Sequence, residues 1–233
     1  MADRARNNPN NTANNAGDDM ETFNNVTNYY EKNKKRINLI VGTVLVVVVG
    51  YFGYTTLYQQ PNEEKAATAM MTAQRYFQTD SLNYALNGDG QHQGFLNIIR
   101  KYGSTPSGNL ANYYAGVSYL QMGDFDNAIK HLEDFNGKGT LVAYAAWGAL
   151  GDAYMEKGNI AKGIDNYKKA ASKADDELYA PIYLQRLAMA YEMNNQNDDA
   201  KDAYLKIKNN YPTSTEAQTV DKDLARMGVV DVQ

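Results

Sequence analysis

Cysteine is absent from this chain of 233 residues. That absence excludes disulfide stapling, thiol catalysis and every thiolate metal site. Histidine is scarce: His92 and His131 are the only two, far apart in sequence and outside any HExxH-type spacing. From residue 63 onward, 17 basic and 22 acidic residues leave a formal charge of −5 with no Lys/Arg stripe, which argues against nucleic-acid binding. Ligand-loop fingerprints are missing too. The stretch NGDGQHQG, residues 87–94, lacks the phosphate-binding GxxxxGK[ST] set and the alternating oxygen ligands and closing Glu of a calcium loop, so it reads as a tight bend. The pairs Glu63–Glu64, Asp175–Asp176 and Asp198–Asp199 fall at expected helix ends or turns, where acidic side chains are favourable without any catalytic role. The sequence predicts no enzyme, no metal and no cofactor.

Charge is also missing from one long run. Residues 37–57, INLIVGTVLVVVVGYFGYTTL, are uncharged and mostly apolar. At about 1.5 Å per residue, a helix of that length spans roughly 30 Å, the hydrocarbon thickness of a bilayer. Lys32, Lys34, Lys35 and Arg36 flank only its N-terminal end, which places the N-terminus in the cytoplasm and the larger part outside. Tyr54 and Tyr58, one turn apart, suit the outer headgroup layer, with Tyr51 deeper. The core is longer than that of a cleaved signal, and no small-x-small site follows it, so an uncleaved anchor is expected. Gly42, Gly50 and Gly53 form no GxxxG pair.

The boundaries then follow. Residues 1–31, Asn-rich, are expected to be a disordered cytoplasmic tail, because they cannot bury enough apolar surface to offset ordering entropy. Phe23, Val26 and Tyr29, spaced by three, suggest a short helix leading into the anchor at 32–60, and a brief cytoplasmic contact motif. About 170 residues remain, enough for one substantial core.

Internal repetition organises that remainder. Gly116 to Gly151, Tyr119 to Tyr154 and Gly123 to Gly158 are each separated by 35 residues. A third copy carries Ala188, Tyr191, Asn195, Ala200 and Tyr204. Units of this length cannot bury their apolar faces alone and must stack. Apolar residues such as Trp147, Leu150 and Tyr154 recur at helical steps, a turn follows, and a second amphipathic helix begins with Ala128, Ile129 and Leu132, or with Ile164 and Tyr167. The fold class is all-α: a single transmembrane helix, then a superhelix of antiparallel helix pairs.

These positions resemble the tetratricopeptide repeat family, whose pattern runs Trp, Leu, Gly/Ala, Tyr, then Gly, Ala, an aromatic, Ala and Pro. The second copy has Trp147, Leu150, Gly151, Tyr154, Gly158, Tyr167 and Ala170; the first has Ala115, Gly116, Tyr119, Gly123, Phe125, Ala128 and Leu132; the third has Leu187, Ala188, Tyr191, Ala200, Tyr204 and Pro212. Two positions depart from the pattern: Gly163 stands where Ala is usual, and Asn195 for the turn Gly. The copies cover 109–142, 144–177 and 181–214. Residues 61–108 are expected to be a divergent first pair, with helices over 62–77 and 94–106, and 215–233 a capping helix and tail.

The resemblance implies a groove lined by the first helix of each pair. Leu110, Tyr113, Tyr114, Val117 and Gln121 would line it from the first copy, then Asp152, Met155 and Glu156, then Ile182, Gln185, Arg186, Met189 and Met193. Tyrosine and methionine surface suits adaptable peptide contact, while packing among these residues is the plainer alternative. Members that clamp a terminal carboxylate use Lys, Asn and Arg at fixed groove positions; Tyr113 and Val117 occupy two of these and only Arg186 matches a basic one. The groove therefore suits apolar or aromatic segments.

The layout also resembles small bacterial inner-membrane proteins with one anchor and a periplasmic repeat domain, among them the ancillary subunit of the Sec translocon. That resemblance implies contact with translocon subunits, secreted clients or periplasmic chaperones, beside the lipid bilayer itself. The alternative is a permanent structural scaffold of a cell-wall or outer-membrane assembly complex. Neither reading fixes an oligomeric state.

Overall fold

The computed structural model describes residues 10–173 and 176–229, with side chains from residue 23 onward. The chain divides into two units, Met1–Tyr58 and Gln59–Gln233.

The first unit is one helix, α1, Asn10–Tyr54, ending in a π-helical turn, Thr55–Gln59, that crosses the boundary between the units. Composition assigns residues 10–31 to a disordered tail, yet they are helical; residues 1–9 lie outside the described residues. Extending a helix already formed needs no new nucleus, so even poor helix formers can join it. Polar side chains fold back onto their own helix: Thr43 Oγ1 donates to the Leu39 carbonyl at 2.8 Å, which satisfies that hydroxyl within the apolar stretch. Leu39 is 71% exposed and Val46 73%. Among the described residues this is the helical stretch long and apolar enough to cross a membrane, by length and composition.

The second unit is a stack of helices: α2 Gln60–Gln78, α3 Leu82–Asn87, α4 Phe95–Tyr102, α5 Pro106–Gln121, α6 Phe125–Asp134, α7 Leu141–Glu156, α8 Ile160–Ala170, α9 Tyr179–Met193, α10 Asn197–Asn210 and α11 Thr215–Arg226. Helices α5–α6, α7–α8 and α9–α10 are the three repeat pairs. Ahead of them α2 packs against two short helices, α3 and α4, in place of the single partner helix expected over 94–106. Helix α4 stops at Tyr102 because Pro106 opens α5, with Thr105 as its cap accepting the Gly108 N–H at 3.1 Å. Glu63 of α2 holds the same helix start, accepting from Ser107 N at 2.9 Å and Oγ at 2.7 Å.

The 87–94 stretch is a tight bend closed by an antiparallel bridge between Gly88 and Gln93, with Gly88 and Gly90 at φ of 84° and 90°. Asp89 staples it, accepting from the Tyr76 hydroxyl at 2.7 Å, from the Gln91 and His92 amides and from the His92 ring. Those bonds, the tyrosine's foremost, hold the Asp89 carboxyl well below the usual carboxylate range.

One turn recurs in all three repeats. Gly123, Gly158 and Asn195 take positive φ of 78°, 71° and 59°. The next residues, Asp124, Asn159 and Gln196, each donate their amide to the carbonyl of Tyr119, Tyr154 or Tyr191 at 2.9 Å. This is a Schellman closure, and Asn is the side chain that best replaces Gly in a left-handed position. The departure at Asn195 is therefore a substitution that keeps the turn.

Close approach explains the small residues two turns earlier. A Cβ on Gly116 would lie 2.5 Å from Leu132 Cγ, and one on Gly151 2.5 Å from the Tyr167 ring. The core runs along the stack: Phe95, Ile98 and Ala111 at one end, then Leu132, Ala146 and Leu150, then a large cluster from Ile164 to Leu224. Val220 and Leu224 bury α11 in that last cluster, and Ser214 caps the helix by accepting the Ala217 amide at 3.1 Å.

Candidate functional site: the inner helix face

Helices α5, α7 and α9 carry the side chains expected to line a groove, and the structure puts them in three settings. The first is packing. Leu110 and Tyr114 join the first core cluster, where Tyr114 stacks on Phe95 at 5.3 Å and meets Phe77 edge-on at 5.4 Å. Tyr113 and Val117 pack on the Leu132–Leu150 cluster, the Tyr113 ring lying between Tyr114 and Phe135. Met155 turns toward α8: a Cβ on Gly163 would sit 2.5 Å from its sulfur. An Ala at position 163, usual in the family, would meet that flexible sulfur.

The second setting is a clamp. Asp152 pairs with Arg186 of the next repeat and accepts the Tyr167 hydroxyl at 2.7 Å. Burial, then the Asp152 charge, pushes the Tyr167 hydroxyl far up, so it remains a donor. Arg186 also lies over the Tyr183 ring, 5.9 Å from its centre. Tyr183 occupies the space above Gly148, whose Cβ would lie 2.1 Å from that ring. Burial pushes the Tyr183 hydroxyl up to about 12, against the lowering effect of Arg186. The Tyr113 hydroxyl is raised by burial and then by Tyr114 and Tyr179. Each of these tyrosines stays protonated at neutral pH and can only donate or accept a hydrogen bond.

The third setting is open surface. Gln121 and Glu156 are exposed at the ends of α5 and α7, and Ile182 is half-buried. Gln185, Met189 and Met193 converge with Tyr204, Thr219 and Lys222 around a cavity of about 570 Å³. Met189 is 55% exposed and Met193 60%. Gln185 Nε2 donates to Thr219 Oγ1 at 3.3 Å across the cavity. A second clamp forms part of its wall: Arg226 donates to both Glu192 oxygens at 2.6 and 2.9 Å, and the Tyr204 hydroxyl donates to Glu192 at 2.8 Å.

The α10 and α11 contributions, Tyr204, Thr219, Lys222 and Arg226, lie outside the groove expected from sequence, which takes 215–233 only as a cap. A signal for them exists: Asp152 to Arg186 and Glu192 to Arg226 are both steps of 34 residues. Helix α11 stands where the inner helix of a fourth pair would begin.

The remaining candidates are accounted for locally. His131 Nδ1 lies 3.0 Å from Asn112 Oδ1, and its ring stacks on Tyr119 at 5.6 Å. Asp176, just ahead of α9, accepts the Leu178 and Tyr179 amides at 3.1 and 2.9 Å. Asp175 lies outside the described residues, and Asp198 and Asp199 sit in the first turn of α10. Among the described residues no group of three or more His, Asp or Glu is placed to hold a metal ion. The arrangement offers donors, thioethers and aromatic edges, a chemistry of binding.

Pairs of antiparallel helices, closed by one recurrent turn and clamped to their successors, define a helical-repeat interaction module. Residues 113–178 and 183–214 match the tetratricopeptide repeat family. No curated protein matches it in sequence. Solved structures do match in fold. The putative kinesin light chain tetratricopeptide-like repeats of Podosopora anserina, and a singly substituted form of them, each align with a TM-score of 0.56 at 16% identity, covering 71% of this chain and 85–86% of theirs. That likeness is one of fold alone.

Proposed function

We propose that the chain is a membrane-tethered, extracytoplasmic protein-interaction module of a bacterial envelope, acting at or near the Sec translocon on emerging or assembling proteins. The observation that carries this reading is the pair Met189 and Met193, exposed one turn apart beside a 570 Å³ cavity on the inner face. Thioether side chains adapt to varied apolar partners without a fixed template. The basic flank at Lys32–Arg36 and the acidic one at Glu63 and Glu64 favour a cytoplasmic N-terminus and a periplasmic repeat unit. A tether of this kind raises the effective concentration of the groove near partners in the same membrane.

The test is in-cell photocrosslinking from Gln185, Met189 and Met193, with identification of the trapped proteins. Varied secreted proteins together with channel subunits support a client receptor at the translocon. One stoichiometric partner of another complex would replace it with a permanent bracing subunit. No crosslink at any of the three positions would sink the groove reading.

A further inference from the structure

We infer that the N-terminal flank of α1 is a binding collar for anionic phospholipid headgroups; this rests on the membrane reading above. Lys32, Lys34, Lys35 and Arg36 occur within five residues, and all four are exposed. At about 100° per residue, they point around the helix at roughly 0°, 200°, 300° and 40°. The widest gap between them, from about 40° to about 200°, is covered one turn earlier by Tyr29 and Tyr30 at roughly 60° and 160°. A solvated basic stripe would occupy one face; here cations and phenols encircle the helix. Among the described residues, Lys34 is the collar cation with an acidic partner, Glu31 at 2.9 Å.

The collar sits at the right depth. From Tyr30 to the stacked pair Tyr54 and Tyr58, whose rings lie 5.5 Å apart, the helix rises roughly 36 Å before the second aromatic pair begins. When the apolar run fills the hydrocarbon layer, the Tyr54–Tyr58 pair falls near headgroup level on one side and Lys32–Arg36, roughly 2–8 Å before Ile37, fall among the phosphates on the other. Tyr29 and Tyr30 lie about a turn farther out, on the aqueous side of these cations. The opposite flank offers Glu63 and Glu64 before its first cation, Lys65, so the collar is specific to one leaflet. Four cations spread around a helix serve several headgroups at once, each cation strengthening binding roughly fivefold near the surface.

The experiment is native mass spectrometry of the full chain released from phosphatidylcholine bilayers with and without phosphatidylglycerol, counting retained lipids. Retention of more than one phosphatidylglycerol is expected, reduced by K34Q/K35Q, abolished by the four-fold Gln variant, kept by K32R/K34R/K35R and increased by E31Q. A chain that inserts into both bilayers but retains the two lipids equally overturns the collar and leaves the membrane reading standing. A chain that stays in solution with either bilayer overturns both.

Discussion

Glu192 of α9 and Arg226 of α11 meet in a two-pronged pair at 2.6 and 2.9 Å across 34 residues of chain. Asp152 and Arg186 repeat the relationship one pair earlier. In both, a tyrosine hydroxyl from the outer helix, Tyr204 or Tyr167, completes the acceptor's coordination. The hydrogen bond from Arg226, then that from Tyr204, hold the Glu192 carboxyl below its ordinary value near 4.5. A depressed carboxylate contributes stability that is present above its unfolded value and lost as pH falls through its folded one. Arg226→Ala is expected to remove that acid-limb dependence and to lower amide protection in α11 before any other helix. Hydrogen exchange at about pH 7 and about pH 3, above and below the ordinary carboxylate range, checks it. Unchanged protection in α11 would mean that Val220 and Leu224 alone dock the cap.

At Asn195 the left-handed turn is carried by a side chain that tolerates φ of 59°. Asn195→Ala is expected to cost about 1 kcal/mol, and Asn195→Gly to be close to neutral. For a domain of this size, about 1 kcal/mol shifts Tm by roughly 2–4 °C. Thermal melts of the two variants, read against Gly158→Ala as the equivalent change in the second repeat, check the prediction.

Two glycines in adjacent helices should respond in opposite ways to alanine. Either substitution gains about 1 kcal/mol of helix propensity. At Gly163 the added Cβ meets the sulfur of Met155, a flexible end that can swing aside. At Gly151 it meets the Tyr167 ring, which is pinned by its 2.7 Å bond to Asp152. Gly163→Ala is expected to be neutral or mildly stabilising, whereas Gly151→Ala should cost about 1–3 kcal/mol net by overpacking. Denaturant midpoints separate them.

The repeat architecture is legible in the sequence because its signals are local and periodic: Gly123 and Gly158 mark turns, Gly116 and Gly151 mark close approach, and the tyrosines fall between them at a fixed interval. The state of each inner-face side chain is not legible. Whether Met155 is free depends on the missing Cβ of Gly163, and whether the middle of the face is open depends on Tyr183 lying over Gly148. Both are contacts between helices, invisible to any single helical pattern. The helix over residues 10–31 escapes a composition argument for a related reason: composition weighs a segment by itself, and this one is continuous with the apolar helix that follows it.

His131 gives the repeat unit a pH response of the opposite origin to a surface histidine gaining a partner. With Asn112 Oδ1 as acceptor, Nδ1 carries the hydrogen and can keep it in either charge state. Burial first, then the Lys130 charge, lower its pKa, with Asp134 opposing. The unfolded chain therefore binds a proton before the folded one does. Stability contributed by the neutral ring is full above about pH 6.5 and is lost as pH falls from there through the folded value. His131→Gln is expected to flatten stability between about pH 7 and about pH 5 relative to the parent chain. Equal slopes for the two would exclude His131 as the source.

The open end of the inner face supplies the sharpest separation of binding from folding. Met189 and Met193 are more than half exposed, so exchanging them removes little buried surface, and substitutions at such sites usually shift stability by less than about 0.5 kcal/mol. A partner's apolar side chain seated between them would instead lose its contact and meet a desolvated charge. Met189→Lys with Met193→Lys is expected to leave Tm unchanged and to abolish crosslinking from Gln185. Met189→Leu with Met193→Leu, which keeps the apolar surface, should retain most of it. Loss in both pairs of variants would point to the thioether itself, and loss in neither would move the partner away from the 570 Å³ cavity.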